Sequence, residues 1–272
     1  MHEKTTNQVN DQSMKNVYFI SDAHLGSLAQ QHRRQQERRL VRFLDEIKDK
    51  ASAIYMLGDM FDFWFEYRAV VPKGYTRFLG KVSELTDMGV EVHFFIGNHD
   101  IWCFDYLQQE CGVVLHRGPL TTDIGDRTFC LAHGDGLGDP DWKFRIIRGV
   151  FHNKACQWLF RQIHPDLGMR FGLGWAKQSR LKHQRAAEES SDGYQAYRGE
   201  EQEPLVCYAK QYLRSHPDVD YFLFGHRHIE LDLALTHKTR ILVLGDWISL
   251  FTYAVFDGTQ LFLENYVEGE SQ

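Results

Sequence analysis

The sequence predicts an α/β fold that carries a helical insertion, and three observations support this. Five apolar runs rich in β-branched and aromatic residues have the length of buried strands. These runs are residues 17–20, 53–57, 92–96, 128–132 and 221–224. The segments after the first two runs have the apolar spacing of amphipathic helices. Residues 139–215 instead show apolar side chains at mixed three- and four-residue intervals without a strand pattern, which predicts a helical segment inserted into the framework.

Two amphipathic helices are expected in the first part of the chain. Residues 31–50 form the first, with apolar side chains at helical spacing on a charged background. Those apolar residues are Leu40, Phe43, Leu44 and Ile47. Residues 75–88 form the second, which ends at Gly89 because glycine tolerates the left-handed conformation common at helix ends. Strand and helix therefore alternate, as in βα units.

Strands return after the helical segment. They are expected at residues 221–224, 241–245, 253–257 and 261–264. Asp257 and Gly258 are turn residues and predict a hairpin between the last two strands. Within the helical segment, residues 188–203 are acidic and contain glycine, which predicts a mobile loop.

Composition and charge narrow the class of protein. With 272 residues, 43% of them hydrophobic, the chain can form one large domain, which we place at residues 17–272 with the insertion at 139–215. The formal net charge of −6 gives no reason to expect a nucleic-acid partner. Residues 1–16 are polar and expected to be disordered; they lack the apolar stretch of a signal peptide, so we expect a cytoplasmic protein. The five cysteines form no CxxC spacing and are expected to be reduced.

A short polar cluster follows each of the five apolar runs. The clusters are Asp22-Ala23-His24, Gly58-Asp59, Gly97-Asn98-His99-Asp100, His133-Gly134-Asp135 and Gly225-His226-Arg227-His228. Each therefore lies at the carboxyl end of a predicted strand, the edge at which α/β folds bind ligands. Imidazole, carboxylate and amide oxygen together suit divalent ions such as manganese, iron or zinc, and thiolate is absent from every cluster. A single histidine is more often structural than a ligand, but the ordered set predicts a metal site.

The number of these side chains indicates two ions rather than one. Six or seven ligands exceed what one four-coordinate site uses, and two ions need a shared ligand, for which Asp59 is the natural candidate. Two ions about 3.5 to 4 Å apart can neutralise both the attacking and the leaving oxygen of a phosphoryl group, which favours phosphoester or phosphoanhydride hydrolysis. His99 would then lie near the leaving oxygen, with Asp100 holding its tautomer.

The ordered clusters resemble the pattern of calcineurin-type metallophosphoesterases, which is D-x-H, GD, GNH-[DE], a single H and then GH-x-H. All five blocks occur in this order in the chain. The resemblance implies a four-layer α/β/β/α sandwich, with two stacked sheets flanked by helices, and two divalent metal ions, for which we expect manganese. It also implies the metal ligands. These are Asp22, His24, Asp59 and His228 for one ion, and Asp59, Asn98, His133 and His226 for the other.

Within this superfamily the chain is most similar to the UDP-2,3-diacylglucosamine diphosphatase family of the lipid A pathway. The similarity includes GDMFDFW at residues 58–64, HGDGLGD at residues 133–139 and the helical insertion, which in that family is a lid over acyl chains. It implies water attack on the α-phosphorus of UDP-2,3-diacylglucosamine, giving UMP and 2,3-diacylglucosamine 1-phosphate. It also implies peripheral attachment, through the insertion, to the cytoplasmic face of the inner membrane. The best-known branch of that family has arginine after the metal-binding asparagine, where this chain has His99.

Two interpretations of the insertion remain open on its composition. Its apolar residues either form an amphipathic lid for a lipid substrate or pack a small core of the insertion itself. They include Trp142, Phe151, Trp158, Leu159, Phe160, Phe171 and Trp175. We expect Asn98, Lys177, Arg180 and Lys182 to contact the substrate, although the three basic residues also fit a solvated helix face.

Three functions are compatible with these residues. The first is the membrane-associated diphosphatase. The second is hydrolysis of soluble nucleotides or other phosphodiesters at the same two-metal site. The third is a non-catalytic scaffold, which is disfavoured because all seven candidate ligands and His99 are present.

Overall fold

Two stacked β-sheets form the centre of the protein in the computed structural model, which describes residues 15–28, 32–138, 142–189 and 197–268. The first sheet contains β1 (Asn16–Ile20), β2 (Ala51–Met56), β3 (Glu91–Phe95), β4 (Val114–His116), β10 (Thr252–Phe256) and β11 (Leu261–Asn265). Their order is β11-β10-β1-β2-β3-β4. β1 to β4 run parallel to one another, whereas β10 is antiparallel to both β1 and β11.

The second sheet has a parallel centre and antiparallel edges. It contains β5 (Leu120–Ile124), β6 (Arg127–Ala132), β7 (Tyr221–Phe224), β8 (Leu231–Ala234) and β9 (Arg240–Val243). The order is β5-β6-β7-β9-β8, with β6, β7 and β9 parallel. The edge strands β5 and β8 are antiparallel to their neighbours.

Helices cover the outer faces of both sheets. The helices in the described ranges are α1 (Arg33–Ile47), α2 (Thr76–Asp87), α3 (Tyr106–Cys111), α4 (Trp142–His152), α5 (Lys154–Arg161), α6 (Pro165–Glu189) and α7 (Pro204–Leu213). Apolar residues of α1, α2 and α3 pack on the first sheet, and those of α7 pack on the second. The result is the four-layer α/β/β/α sandwich, so the predicted fold class is confirmed.

Alternation along β1 shows how the layers are held together. Phe19 points between the sheets, where its ring stacks on Phe129 of β6 with centroids 5.7 Å apart. Tyr18 and Ile20 point the other way, into the core beneath α1. Both faces of this strand are buried, which explains its continuous apolar run. Each large apolar side chain buried in this way stabilises the fold by roughly 1.5–3 kcal/mol.

The helical insertion packs on loops that follow the strands of the first sheet. Phe63, Phe65, Ile101 and Trp102 form a buried cluster there, which we call the loop cluster. Side chains from the insertion cover it, namely Phe151, Phe160, Met169 and Leu173. By contrast, α7 lies in the segment expected to be inserted, yet its Leu205, Val206 and Ala209 pack on the second sheet. α4, α5 and α6 are therefore the helices that rest on the loops.

The sequence patterns do not predict four short elements, namely α3, β4, β5 and β8. β4 has only three residues, and the edge strands β5 and β8 alternate between exposed and half-buried side chains. The predicted loop at 188–203 begins later than expected, because α6 extends to Glu189, and residues 190–196 lie outside the described residues. Residues 1–14 of the expected disordered segment also lie outside them, and β1 already begins at Asn16.

Within the ranges given above, no helix combines the length and the apolar character needed to cross a membrane.

Candidate metal centre

The five polar clusters meet beyond the carboxyl ends of β1, β2, β3, β6 and β7. Three groups of side chains there have ligand atoms that all lie within 4.8 Å of one another and could hold a metal ion. They are Asp22, His24 and His228; His24, Asp59 and His99; and Asp59, His133 and His226. Two residues, His24 and Asp59, each belong to two groups, so the groups form one continuous centre.

The first group is built around the carboxylate of Asp22. Its Oδ1 atom lies 3.5 Å from His24 Nε2 and 3.4 Å from His228 Nε2. Its Oδ2 atom accepts hydrogen bonds from Ser21 Oγ at 2.6 Å and from the backbone N–H of His226 at 2.8 Å. Oδ1 is buried and accepts no hydrogen bond from the described residues. One oxygen thus holds the carboxylate in place and the other faces two imidazole nitrogens, which fits a divalent cation.

The second group is built around Asp59. Its Oδ2 atom lies 3.3 Å from His133 Nε2, and that nitrogen lies 3.2 Å from Asn98 Oδ1. The same Oδ2 atom lies 3.7 Å from His24 Nε2, which belongs to the first group. Asp59 Oδ1 accepts a hydrogen bond from the backbone N–H of His99 at 2.8 Å. A single carboxylate oxygen therefore lies between the two groups, in the position that a shared ligand needs.

Hydrogen bonds to Nδ1 orient two of the histidines. His133 Nδ1 donates to the carbonyl oxygen of Leu57 at 2.8 Å, and His228 Nδ1 donates to Asp246 Oδ2 at 3.1 Å. Both contacts leave Nε2 as the nitrogen that faces the centre, as in metal-binding histidines. Asp246 is not among the residues predicted from the sequence, although it follows β9 just as the other clusters follow their strands, and that placement is the signal that could have identified it.

His99 is oriented by Asp62 rather than by Asp100. His99 Nδ1 donates to the carbonyl oxygen of Asp62 at 2.8 Å, and its ring lies edge-on to His24 with centroids 4.8 Å apart. Asp100 is fully buried and accepts hydrogen bonds from the backbone N–H groups of Met60 at 2.8 Å and Gly97 at 2.7 Å. The expected role of Asp100 in holding the His99 tautomer is therefore wrong. The carboxylate of Asp100 instead links the loops that follow β2 and β3, because the buried backbone N–H groups of these loops need an acceptor.

The backbone of the centre is held in an unusual conformation. Among described residues other than glycine, seven have a positive φ angle, and five of them are candidate ligands. Those five are Asp22, His24, Asp59, His226 and His228. Left-handed conformations of such residues cost about 1–3 kcal/mol each and persist only where surrounding contacts impose them.

Two motif glycines allow the loops to approach one another. A Cβ atom at Gly97 would collide with the carboxylate of Asp59, and one at Gly225 would collide with Ser21 Oγ and the carboxylate of Asp22. Glycine is therefore required in GNH and GH because the carboxylates of neighbouring loops occupy the space beside it.

Burial and charge set the protonation of the candidate ligands. Burial raises the pKa of Asp22. Burial alone would also raise the pKa of Asp59, but the neighbouring His133 and His99 charges outweigh it and hold that pKa well below the ordinary value. Burial, together with the charge on His133, lowers the pKa of His226 well below its ordinary value. A deprotonated carboxylate and a neutral imidazole are the forms that bind metal.

Two ion pairs anchor loops of the centre to helices. Arg227 lies between His226 and His228, and its guanidinium contacts both oxygens of Glu203, with Nε 2.7 Å from Oε1. The Glu203 side chain is fully buried at the start of α7. Asp135 Oδ2, in the cluster after β6, lies 3.2 Å from Nε of Arg148 on α4. Through the first pair, the Arg227 side chain is held by Glu203 rather than by the candidate ligands on either side of it.

The residues expected to contact the substrate are only partly described. Asn98 lies in the second group, and Lys177 is exposed on α6. The side chains of Arg180 and Lys182 lie outside the described part of the structure, as does that of Trp142.

Comparisons with known proteins identify the family of this chain. The family model for calcineurin-like phosphoesterases matches residues 15–230. A UDP-2,3-diacylglucosamine hydrolase of Porphyromonas gingivalis is 44% identical over 262 residues, which are 93% of this chain and 98% of that protein. A UDP-2,3-diacylglucosamine hydrolase of Edwardsiella ictaluri is 30% identical, covering 77% of this chain and 74% of that protein. The crystal structure of a dimetal phosphatase from Danio rerio overlaps with a TM-score of 0.44 at 16% identity, covering 93% and 99% of the two chains.

The matched family model spans the five clusters, and the Porphyromonas gingivalis relative aligns with almost the whole chain. The chain therefore belongs to the calcineurin-like phosphoesterase family and is a metal-dependent hydrolase.

Proposed function

We propose that this enzyme cleaves the diphosphate of UDP-2,3-diacylglucosamine with water, giving UMP and 2,3-diacylglucosamine 1-phosphate in lipid A biosynthesis. The observation that carries the proposal is the position of Asp59 Oδ2, which lies between His133 Nε2 and His24 Nε2. Two ligand groups that share one carboxylate suit phosphoanhydride hydrolysis. The Porphyromonas gingivalis relative is named for the same substrate.

We assign the metal ligands as the resemblance implies. Asp22, His24, Asp59 and His228 hold one divalent ion, and Asp59, Asn98, His133 and His226 hold the other. The ligands are nitrogen and oxygen donors, for which we propose manganese, with iron and zinc as alternatives. When bound, the two ions polarise the phosphoryl oxygens and lower the pKa of the attacking water.

His99 and Asn98 are the protein groups that contact the reacting phosphate in this proposal. The Asp62 carbonyl fixes Nδ1 of His99 as the donor, so Nε2 is the atom available to the substrate. From there His99 stabilises the charge that develops on the leaving oxygen, by a hydrogen bond or by proton donation. Lys177, Arg180 and Lys182 on α6 supply positive charge for the substrate phosphates.

The exposed surface of the insertion supports an acylated substrate and a peripheral position on a membrane. Its exposed large apolar side chains include Ile146, Trp158, Leu159, Leu167, Phe171 and Trp175. Phe171 is 69% exposed and Leu159 is 60% exposed. Large apolar side chains exposed on several helices are a usual sign of contact with lipid or with another protein. We propose that this surface rests on the cytoplasmic face of the inner membrane, where it receives the acyl chains of the substrate.

Product analysis tests the substrate directly. Metal-loaded protein is incubated with UDP-2,3-diacylglucosamine and, in parallel, with UDP-N-acetylglucosamine and bis(p-nitrophenyl) phosphate, and the products are identified by mass spectrometry. We expect UMP and 2,3-diacylglucosamine 1-phosphate, with far higher kcat/KM for the acylated substrate. Equal kcat/KM for the acylated and non-acylated nucleotide sugars would contradict the lipid substrate and support hydrolysis of soluble nucleotides. Absence of all products from metal-loaded protein would support a non-catalytic scaffold.

A further inference from the structure

Helix α6 lies unusually close to the chain segment that follows Asp59. A Cβ atom built at Gly172 would collide with the ring of Phe63, and one at Gly168 would collide with the hydroxyl of Tyr67. These two glycines are one helical turn apart and therefore face the same side of α6. The absence of side chains at both positions is what allows the helix to rest on this segment.

The ring of Phe63 has little room to move away from α6. Phe63 is only 7% exposed and belongs to the loop cluster. It packs edge-on against Trp102, with centroids 5.8 Å apart, and against Phe160 of α5, with centroids 6.4 Å apart. Because protein interiors are close-packed, displacement of this ring has to be absorbed by the backbone that carries it.

The residue before Phe63 holds the catalytic histidine. The carbonyl oxygen of Asp62 accepts the hydrogen bond from His99 Nδ1 at 2.8 Å. The Asp62 carboxylate lies 3.6 Å from Nδ1 of His24, a candidate ligand. A shift of the peptide between residues 62 and 63 therefore changes the orientation of the His99 ring.

We propose that Gly172 is a positioning residue that seats α6 on Phe63 and, through the Asp62 carbonyl, sets the orientation of His99. The insertion then acts on turnover as well as on substrate binding, since the fit of α6 controls a group at the reacting phosphate. This inference rests on the role of His99 in the proposed function.

The test compares Gly172→Ala with Gly174→Ala in the full-length, metal-loaded protein. Both replacements raise the helix propensity of α6 equally, but a Cβ atom at Gly174 meets no other atom within 4 Å. The substrates are UDP-2,3-diacylglucosamine and bis(p-nitrophenyl) phosphate, which carries no acyl chain. We expect Gly172→Ala to lower kcat about tenfold on both, because a displacement of the order of 1 Å is costly to catalysis. We expect Gly174→Ala to keep the wild-type kcat, and both variants to bind wild-type amounts of metal.

Epistasis identifies the route of the effect. In a His99→Ala background, Gly172→Ala should change kcat less than about twofold, because the group that it positions is already gone. Phe63→Leu should restore kcat in the Gly172→Ala protein by making room for the added methyl group. If Gly172→Ala does not fold, Phe63→Ala probes the same link from the other side and should show the same loss of additivity with His99→Ala.

The outcomes separate this inference from the proposed function. If His99→Ala alone leaves kcat unchanged, the proposed role of His99 is wrong and the coupling is wrong with it. If His99→Ala lowers kcat but Gly172→Ala matches Gly174→Ala, only the coupling is overturned. If Gly172→Ala raises KM for the acylated substrate and leaves kcat unchanged, α6 binds lipid without positioning His99. This result also overturns the coupling.

Discussion

At the scale of single residues, Asp59 Oδ2 lies 3.3 Å from His133 Nε2 and 3.7 Å from His24 Nε2, so removing it acts on both ligand groups at once. We expect Asp59→Ala to abolish turnover and to lower the metal content from two ions to one or none. Metal analysis by inductively coupled plasma mass spectrometry and product assays check this. Two ions per chain together with activity would contradict the shared ligand.

His99 is expected to separate catalysis from metal binding. His99→Ala should keep the metal content of the wild type and lower kcat by about 10²-fold or more, the usual effect of removing an acid or a charge-stabilising group. His164→Ala is the matched control, because that histidine side chain is 69% exposed on the insertion. Loss of metal from the His99 variant would show that His99 is a ligand instead.

Asp246 should give the metal-free protein a measurable pH dependence. Burial would raise its pKa, but the hydrogen bond and charge of His228, with the backbone N–H groups of Ser249 and Leu250, lower it from 3.8 to about 2. Since the pKa is lower in the folded state, its stabilisation of roughly 2 kcal/mol is complete above about pH 4 and is lost as the pH falls towards 2. Urea unfolding of wild type and Asp246→Asn should therefore differ most near neutral pH. An unchanged difference at about pH 2 would contradict this.

The sequence identified the candidate ligands because they follow buried strands, so their place in the fold is tied to a strong apolar signal. Contacts between loops carry no such signal. Asp246 was not predicted, and Asp100 was assigned the wrong partner. The hydrogen bonds of both residues depend on which loops meet in the fold, and the spacing of residues along the sequence does not show this.

At the scale of elements, the buried strands and the amphipathic helices could be predicted from the sequence. A strand buried on both faces gives a continuous apolar run, and a helix buried on one face gives apolar residues at helical spacing. The edge strands β5 and β8 could not be predicted, since neither has more than five residues and both alternate between exposed and half-buried positions. From its composition, the insertion could be either a lid for a lipid substrate or a segment with its own small core. In the structure Phe151 and Phe160 pack on the loop cluster, while Trp158 and Phe171 are exposed.

The exposed face of the insertion gives a prediction of its own. Phe171→Asp should weaken binding to phospholipid vesicles about tenfold or more, because burial of a phenylalanine in lipid contributes roughly 1.5–3 kcal/mol. The side chain is 69% exposed, so folding stability should change by about 0.5 kcal/mol or less. Met88→Asp, at a residue that is 48% exposed just after α2 and outside the insertion, is the control. Vesicle co-sedimentation measures both; equal binding of the two variants would contradict a membrane-facing insertion.

At the scale of the whole molecule, three apolar cores hold the layers together. One lies between the sheets, and the others lie beneath the helices on either side. The candidate ligands lie beyond the strand ends, at the edge of these cores. The stacking of the two sheets was expected only from the family resemblance, because contacts such as Phe19 on Phe129 join strands that are distant in sequence.

Removal of metal should therefore lower stability without unfolding the protein. With free ions at about 100 times their Kd, each of the two sites contributes about 2.7 kcal/mol, so chelation with EDTA should lower the Tm by roughly 10–20 °C. The far-UV circular dichroism spectrum at room temperature should stay unchanged, because apolar contacts in three cores hold the sheets and helices together. Loss of helical signal on chelation would show that the metal is needed for folding.

The Glu203–Arg227 pair limits how far the insertion behaves as an exchangeable module. Glu203 stands where the chain returns to the sandwich at α7, and its partner stands between two candidate ligands. If the insertion, through residue 203, came from a relative without a carboxylate at this position, the Arg227 side chain, which is 11% exposed, would lose its partner at a cost of about 3–5 kcal/mol. Recombination of this enzyme with its relatives should succeed when the junction precedes Glu203, so substrate preference can be exchanged while the host keeps its own glutamate.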